Sequence, residues 1–231
     1  MSSEAISTFA AFRAPHVRWT RQLDGRPPPP VGAGGGHCIR PCGVRLMATG
    51  YDPIAVLMDE HQRFLRRLGE VRADLRRLSE EGRGRRGLTT SMSTFADFLA
   101  KDVDGFHGRK EEEGLFPILV RHIGSEGGPV GVMLDEHELL RRHQKTIARN
   151  VPKLETDREA VEAWTAVSAA TDSVDRLLAL HIEKEDQVLF PMARAVLSPA
   201  EMSEVAQICQ EIEVQLGVGP GEGRPAPRDL R

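Results

Sequence analysis

The stretch HGRKEEEGLFP, residues 107–117, decides the fold, because it returns 74 residues later as HIEKEDQVLFP, residues 181–191. Both copies begin with a histidine, have a glutamate four positions later and end in Leu-Phe-Pro. Repetition of one pattern at a long interval indicates that a chain contains similar structural units. We therefore expect two similar halves.

A second pattern is duplicated in step with the first. The triplet Asp-Glu-His ends at His61 in the first half and at His137 in the second, 76 residues later. Each half thus carries two histidines, one from each pattern, and one glutamate. Two such halves facing each other would bring together four imidazoles and two carboxylates, which is the composition of a binuclear metal site.

The composition is that of one packed domain with tails. Of the 231 residues, 40% are hydrophobic and 28% are charged, and no apolar run reaches the roughly 18 residues that a membrane span needs. Three scattered cysteines suit a reducing cytosol better than a disulfide framework. The net charge of -3, without a basic stripe, argues against nucleic-acid binding. We expect a cytoplasmic protein that binds neither nucleic acid nor membranes.

Two tails are predicted around a domain at 51–216. Residues 1–50 are rich in Arg, Pro and Gly and include a Pro-Gly run that cannot propagate a helix, so this extension is predicted to be disordered. Its composition resembles a transit peptide, and an equally weighted alternative is that the protein starts at Met47. Residues 217–231 are predicted to form a flexible tail.

Between the tails the hydrophobic pattern is helical. Asp52 followed by proline is a typical helix start, and apolar residues then recur every three or four positions to about Ser79. The later helices are predicted at about 90–122 with a kink at Pro117, 130–150, 157–197 with a kink at Pro191, and 198–214. No β pattern occurs. Two similar helix hairpins predict an all-α fold, an antiparallel up-down four-helix bundle with a short fifth C-terminal helix.

Helix geometry directs the duplicated residues into this bundle. A residue four positions on lies one turn higher and about 40° round the helix, so the histidine and glutamate of each long motif share a face. The two triplet histidines lie among apolar neighbours and are predicted to be buried. A buried imidazole without a partner is costly, and a metal would satisfy all four. The predicted metal ligands are His61, His107, Glu111, His137, His181 and Glu185.

Neighbouring acids are weaker candidates. Glu112 and Asp186 lie about 140° from the motif histidines on an ideal helix, so we expect them to matter less, although either could also ligate. Asp59 and Asp135 are predicted to be surface acids by the same angular argument. A single histidine on an apolar face is more often a core residue than a ligand. The joint duplication of both patterns is what favours metal binding.

The ligand types narrow the choice of metal. Imidazole with carboxylate suits iron, zinc or manganese, and the absence of cysteine from the site argues against a structural zinc centre. Two carboxylates that could bridge, with two histidines for each metal, describe a di-iron site that would accept an oxo or hydroxo bridge and dioxygen, nitric oxide or peroxide. Ferritin-like di-iron bundles differ, since they use ExxH motifs with further glutamates.

These motifs resemble those of the hemerythrin-like family, specifically its HHE cation-binding domains, over about residues 52–197. The resemblance implies an up-down four-helix bundle with a non-haem di-iron centre, in which the same six residues are ligands and Glu111 and Glu185 bridge. Oxygen carriers of the family have a fifth histidine where this chain has Arg141, and an HxxxxD motif that Asp186 could mimic. These departures argue against a pure oxygen carrier.

The resemblance leaves several functions open. Relatives in the family are oxygen carriers, oxygen or iron sensors, nitric oxide binders, peroxide-decomposing enzymes and iron-centre repair proteins. The sequence favours a redox-active di-iron protein that binds or reacts with dioxygen, peroxide or nitric oxide, and a catalase-like or other oxidoreductase activity stays open. The alternative is a non-catalytic iron- or oxygen-sensing or iron-handling domain. The oligomeric state is not predicted.

Overall fold

The computed structural model describes residues 50–80, 85–124, 128–155 and 160–218. All elements in these ranges are helical and none is a strand, so the prediction of an all-α fold is confirmed. The predicted disordered extension, except for Gly50, lies outside the described residues, as does 219–231 of the predicted C-terminal tail. No described helix is long and apolar enough to cross a membrane.

Three long helices and two compound helices form the described part of the chain. The single helices are α1 (Pro53–Glu80), α4 (Pro129–Asn150), which a 3₁₀ turn (Val151–Glu155) follows, and α7 (Pro199–Gln215). The first compound helix runs from 85 to 123 through α2 (Arg85–Phe98), π1 (Leu99–Gly108), π2 (Lys110–Leu115) and α3 (Phe116–Ile123). The second runs from 160 to 196 through α5 (Ala160–Lys184), π3 (Glu185–Leu189) and α6 (Phe190–Val196).

The helix starts follow the signals in the sequence, with one exception. Asp52 Oδ1 accepts hydrogen bonds from the backbone N–H groups of Ile54 and Ala55, at 3.0 and 3.1 Å, and so caps α1. Ser198 and Glu201 form a reciprocal capping box at α7. The exception is α2, which begins about one turn before the predicted start near residue 90. Gly87 lies in the first turn of α2 and does not prevent the helix from forming there.

Both motif prolines are preceded by a π-helical turn. The N–H group of Phe116 donates to the carbonyl of Glu111, and that of Phe190 donates to the carbonyl of Glu185, five residues back instead of four. A proline has no N–H group and its ring crowds the preceding turn, which a wider turn accommodates. The irregularity predicted at each proline therefore takes the form of a π turn, and this turn begins at or beside the motif glutamate.

Two apolar clusters enclose the polar motifs along the helices. The large cluster includes Phe64, Leu68, Phe95, Val103, Leu140, Val174 and Leu178. The small cluster includes Ile54, Leu57, Leu115, Leu119, Met133, Leu189 and Phe190. Along α1 and α4 the chain passes from the small cluster through a triplet histidine to the large cluster, whereas along 85–123 and 160–196 it passes in the opposite order. The motifs of all four helices consequently lie between the two clusters.

Candidate metal centre

The structure brings together all six residues that the sequence nominated as ligands. They form two groups of four, and within each group one ligand atom from every residue lies within 4.8 Å of the others. One group is His61, His107, Glu111 and Glu185, and the other is His137, His181, Glu111 and Glu185. Each histidine belongs to one group and each glutamate belongs to both. All six side chains are buried.

The paired histidines meet through their Nε2 atoms. These atoms are 3.0 Å apart in His61 and His107, and 3.1 Å apart in His137 and His181. Two nitrogens that bind one ion at about 2.1 Å and at right angles would lie about 3.0 Å from each other. The spacing in both pairs therefore fits a shared metal ion.

The two glutamates have no hydrogen-bond partner for any of their four carboxylate oxygens, although both are fully buried. Their oxygens instead lie beside the histidine Nε2 atoms: His61 to Glu185 3.2 Å, His107 to Glu111 3.3 Å, His137 to Glu111 3.4 Å and His181 to Glu185 3.3 Å. A buried carboxylate without partners is costly enough that such groups normally pair with a cation or coordinate a metal. The arrangement thus fits two cations that share both carboxylates.

Four further carboxylates form a closed ring around the histidines, in which each helix supplies an acid to the histidine of the next. The contacts to the histidine Nδ1 atoms are Glu60 to His107 2.9 Å, Glu112 to His137 2.6 Å, Glu136 to His181 2.9 Å and Asp186 to His61 2.7 Å. Each acid directly precedes or follows an inward-facing residue. It is therefore turned by about 100°, towards the neighbouring helix.

This ring sets the chemistry of the imidazoles. Because an ionised carboxylate only accepts hydrogen bonds, each Nδ1 atom carries a hydrogen, and Nε2 is the ring nitrogen that faces the centre and would bind a metal after losing any hydrogen of its own. Burial lowers the pKa of His107, but the carboxylates of Glu111 and Glu60 outweigh it and raise that pKa to about 10. At His137, Glu111 and Glu112 likewise overcome burial and raise the pKa to about 9. The centre has the electrostatic character of a cation site.

The contacts between the ring acids and the histidines were not predicted from the sequence. As expected, Glu112 and Asp186 belong to neither group of four, but the expectation that they matter little overlooked their contacts with His137 and His61. Angles on an ideal helix show which residues face the centre, but not which side chains reach the Nδ1 atoms of histidines on other helices. Asp59 and Asp135 are exposed, as predicted.

Aromatic rings cover the histidines. Phe190 stacks on His61 with ring centroids 5.4 Å apart, and Phe116 lies 5.9 Å from the His137 ring in a similar orientation. Phe64 contacts His107 edge-on at 5.0 Å. Two of these phenylalanines are those of the duplicated Leu-Phe-Pro, so this tripeptide places a π turn and a covering ring beside each triplet histidine.

A cavity of about 30 Å³ reaches all four histidines. Its wall is mainly apolar, from residues such as Leu99, Val103 and Leu178, and its polar lining includes Asp104, Arg141 and Gln144. The Arg141 side chain donates to Asp104 at 2.7 Å and to the ring acid Glu112 at 2.5 Å. A cavity of about this size accommodates one or two molecules as small as water. The chain thus offers the centre a narrow route for small ligands.

Each half also contains a lysine that contacts a ring acid. Lys110 donates to Glu60 at 2.6 Å, and Lys184, at the equivalent place in the second half, contacts Glu136. Lys110 is fully buried, and it also donates to Glu213 of α7 at 2.7 Å. The Tyr51 hydroxyl donates to Glu213 at 2.9 Å. Burial and the nearby thiol of Cys209 and carboxylate of Glu213 raise the Tyr51 pKa above its usual range.

A comparison with known families identifies the class. The sequence matches the Hemerythrin HHE cation binding domain over residues 52–206, about two thirds of the chain. The chain therefore belongs to the hemerythrin HHE cation-binding domain family, and the resemblance carried by its duplicated motifs is confirmed.

Several similar curated proteins carry the same name. The chain is 27% identical over 150 residues to the iron-sulfur cluster repair protein YtfE of Escherichia coli O157:H7. The aligned region covers 62% of this chain and 67% of that protein. The proteins of the same name from Cronobacter sakazakii and Yersinia pseudotuberculosis are 26% and 29% identical, over 61% and 47% of this chain and 63% and 47% of theirs. The matches thus span between about half and two thirds of these relatives. No solved structure was found to match significantly.

Proposed function

We propose that this chain is a non-haem di-iron protein that binds or reacts with dioxygen, nitric oxide or peroxide. One iron would be held by His61 and His107 and the other by His137 and His181, with Glu111 and Glu185 shared between them. The observation that carries the proposal is the pair of fully buried glutamates whose four oxygens lack hydrogen-bond partners and which belong to both groups.

The proposed architecture is an antiparallel up-down bundle of α1, the helix 85–123, α4 and the helix 160–196. Its support is the alternating order in which the four helices pass through the small and large clusters. Neighbouring helices of opposite direction need only short connections, and those between these helices are short. In this arrangement each helix contributes one histidine at the same level.

Iron is the metal that the donor set and the relatives favour together. Four imidazoles and two carboxylates suit iron, zinc or manganese, and no described cysteine lies among the six residues. When bound, iron would supply reversible redox chemistry and coordination positions for a small ligand. The chain itself would orient the imidazoles through the ring acids, exclude bulk water with the phenylalanine rings and admit ligands through the cavity of about 30 Å³.

A second candidate function is iron handling in the repair of iron–sulfur clusters. The similar proteins named for this repair support it, although they are under 30% identical to this chain. In that case the iron would be cargo as much as cofactor. Stoichiometric transfer of iron to a cluster-free acceptor protein would favour repair, whereas turnover of peroxide with oxygen release would favour an enzyme.

The metal content and the visible spectrum of the protein test the main proposal. Protein purified from iron-supplemented cells is expected to contain two iron atoms per chain and to show a spectral change when nitric oxide or peroxide is added. His143→Ala is a suitable control, because this histidine belongs to neither group and should leave the iron content unchanged. One iron per chain, or zinc alone after iron supplementation, would contradict the proposal.

A further inference from the structure

The two halves of the centre are equivalent in sequence but not in their surroundings. The lysine–acid–histidine chain of the first half, Lys110 to Glu60 to His107, is almost fully buried. In the second half, the Lys184 side chain is 34% exposed and that of its partner Glu136 is 17% exposed. Water can therefore compete for the second chain but not for the first.

Helix α7 causes this difference, since it follows the second half of the sequence but packs on the first. It contacts π2 and α1 and delivers Glu213, which is fully buried, to Lys110. Gly114 of π2 faces this helix, since a Cβ atom there would lie in ordinary van der Waals contact with Ile208, at 3.4 Å. The equivalent residue in the second half is Val188, which is exposed.

These contacts fix the orientation of the His107 imidazole more firmly than that of His181. Lys110 lies between Glu60 and Glu213, at 2.6 and 2.7 Å, and the Tyr51 hydroxyl donates to the same oxygen of Glu213, Oε1, that Lys110 contacts. In a water-free interior such charge-assisted hydrogen bonds are stronger and their geometry is better fixed than at an exposed site. His107 can turn away from the centre only by breaking its bond to the fixed Glu60. His181 depends on Glu136, which solvent can reach.

We propose that Glu213 is a positioning residue of the centre, and that it makes the His61–His107 position retain its iron more firmly than the His137–His181 position. This inference rests on the di-iron function proposed for the chain. Helix α7 lies outside the duplicated halves and, through Glu213, would make two otherwise equivalent metal positions unequal.

Chelator-induced iron loss from the loaded, full-length protein tests the inference. The wild type should lose iron in two phases of equal amplitude. Glu213→Ala should accelerate the slow phase by about tenfold or more, as losses of residues that support metal ligands commonly do, and leave the fast phase unchanged. Glu211→Ala, an exposed change on the same helix, should alter neither phase. Lys184→Met, which removes the lysine that contacts Glu136 in the second half, should leave the slow phase unchanged.

Two additional measurements separate positioning from general stability. Glu213→Gln preserves the side-chain size and an oxygen for Lys110 and Tyr51, so its slow phase should be close to the wild-type rate. This variant also replaces Glu213→Ala in the experiment if Glu213→Ala does not fold. Iron-edge anomalous scattering from crystals after partial chelation should show the remaining iron beside His61 and His107. Iron remaining beside His137 and His181, or equal acceleration of both phases in the variant, would overturn the inference.

The outcomes distinguish this inference from the function on which it rests. If the wild type holds two irons and loses them in a single phase, the inequality is wrong and the di-iron proposal stands. If the wild type holds no iron, both are wrong.

Discussion

Asp186 lies 2.7 Å from the Nδ1 atom of His61, a residue 125 positions earlier, and this contact closes the ring of acids around the four histidines. The other three contacts of the ring also join different helices. Each histidine is thus oriented by a helix other than its own. The ring therefore couples the relative positions of the helices to the orientation of the imidazoles.

Removal of a ring acid should weaken metal binding without unfolding the protein. We expect Glu112→Ala and Asp186→Ala to lower metal affinity by about 10- to 100-fold, since a histidine ligand then loses the partner that orients it. Competition with a chelator of known affinity measures the change. Glu113→Ala is the control, because Glu113 is exposed and contacts Arg109 instead of a histidine. Wild-type affinity in both ring variants would show that the ring does not support the ligands.

Loss of a shared glutamate should differ from loss of a histidine. Because Glu111 and Glu185 each belong to both groups, Glu111→Ala and Glu185→Ala should reduce the iron content similarly, from two towards zero. His61→Ala and His137→Ala each affect one group and should form a second matched pair that retains about one iron per chain. Elemental analysis of the four purified variants gives these counts. Unequal losses between Glu111→Ala and Glu185→Ala would show that the two groups do not share both carboxylates alike.

The clustering of the six central residues could be predicted because two independent sequence patterns identify them. Duplication marks His61 and His137 as equivalents, and the helical period places Glu111 on the face of His107. Both regularities are local or repetitive, so a single sequence displays them. The all-α fold follows from the same period.

The ring and the buried lysine could not be predicted in the same way. Glu112 and Glu60 contact histidines on neighbouring helices, and which helices are neighbours is a property of the tertiary structure. Lys110 lies within a charged run that resembles a solvated helix face, and its buried contact with Glu213 of α7 belongs to the tertiary structure. No repeat in the sequence connects positions 110 and 213.

Removal of the metal should destabilise the fold. Without cations, two glutamates whose oxygens have no hydrogen-bond partner remain buried beside four histidines, and metal binding favours the folded state by mass action. A site occupied at 1,000 times its dissociation constant contributes about 4 kcal/mol, which corresponds to a melting temperature about 8–16 °C higher for a domain of this size. Circular dichroism melts before and after chelation measure the difference. Restoration by added iron is the control, and an unchanged melting temperature would contradict metal-coupled stability.

The buried thiol of Cys209 should be inert in the folded protein. It is fully buried, and desolvation raises its pKa to about 12, so almost none of it is thiolate near neutral pH. Treatment with iodoacetamide, followed by peptide mass spectrometry, should leave Cys209 unmodified in native protein and modify it in denaturant. Since Cys209 lies against Gly114, rapid native labelling would mean that α7 detaches from π2.

The ion pair of Arg141 with Asp104 should control how fast small ligands reach the centre. Both side chains line the cavity and both are partly exposed. Such an ion pair contributes at most about 1 kcal/mol, so breaking it should increase the fraction of molecules with an open cavity by up to about fivefold. We expect Asp104→Ala to accelerate nitric oxide association by up to about fivefold in stopped-flow measurements. The iron content should stay unchanged, because Arg141 still contacts Glu112. Arg142→Ala removes a neighbouring arginine whose partner is Glu138 on its own helix, and it should leave the rate unaltered. Equal rates in the wild type and Asp104→Ala would mean that ligands enter by another route.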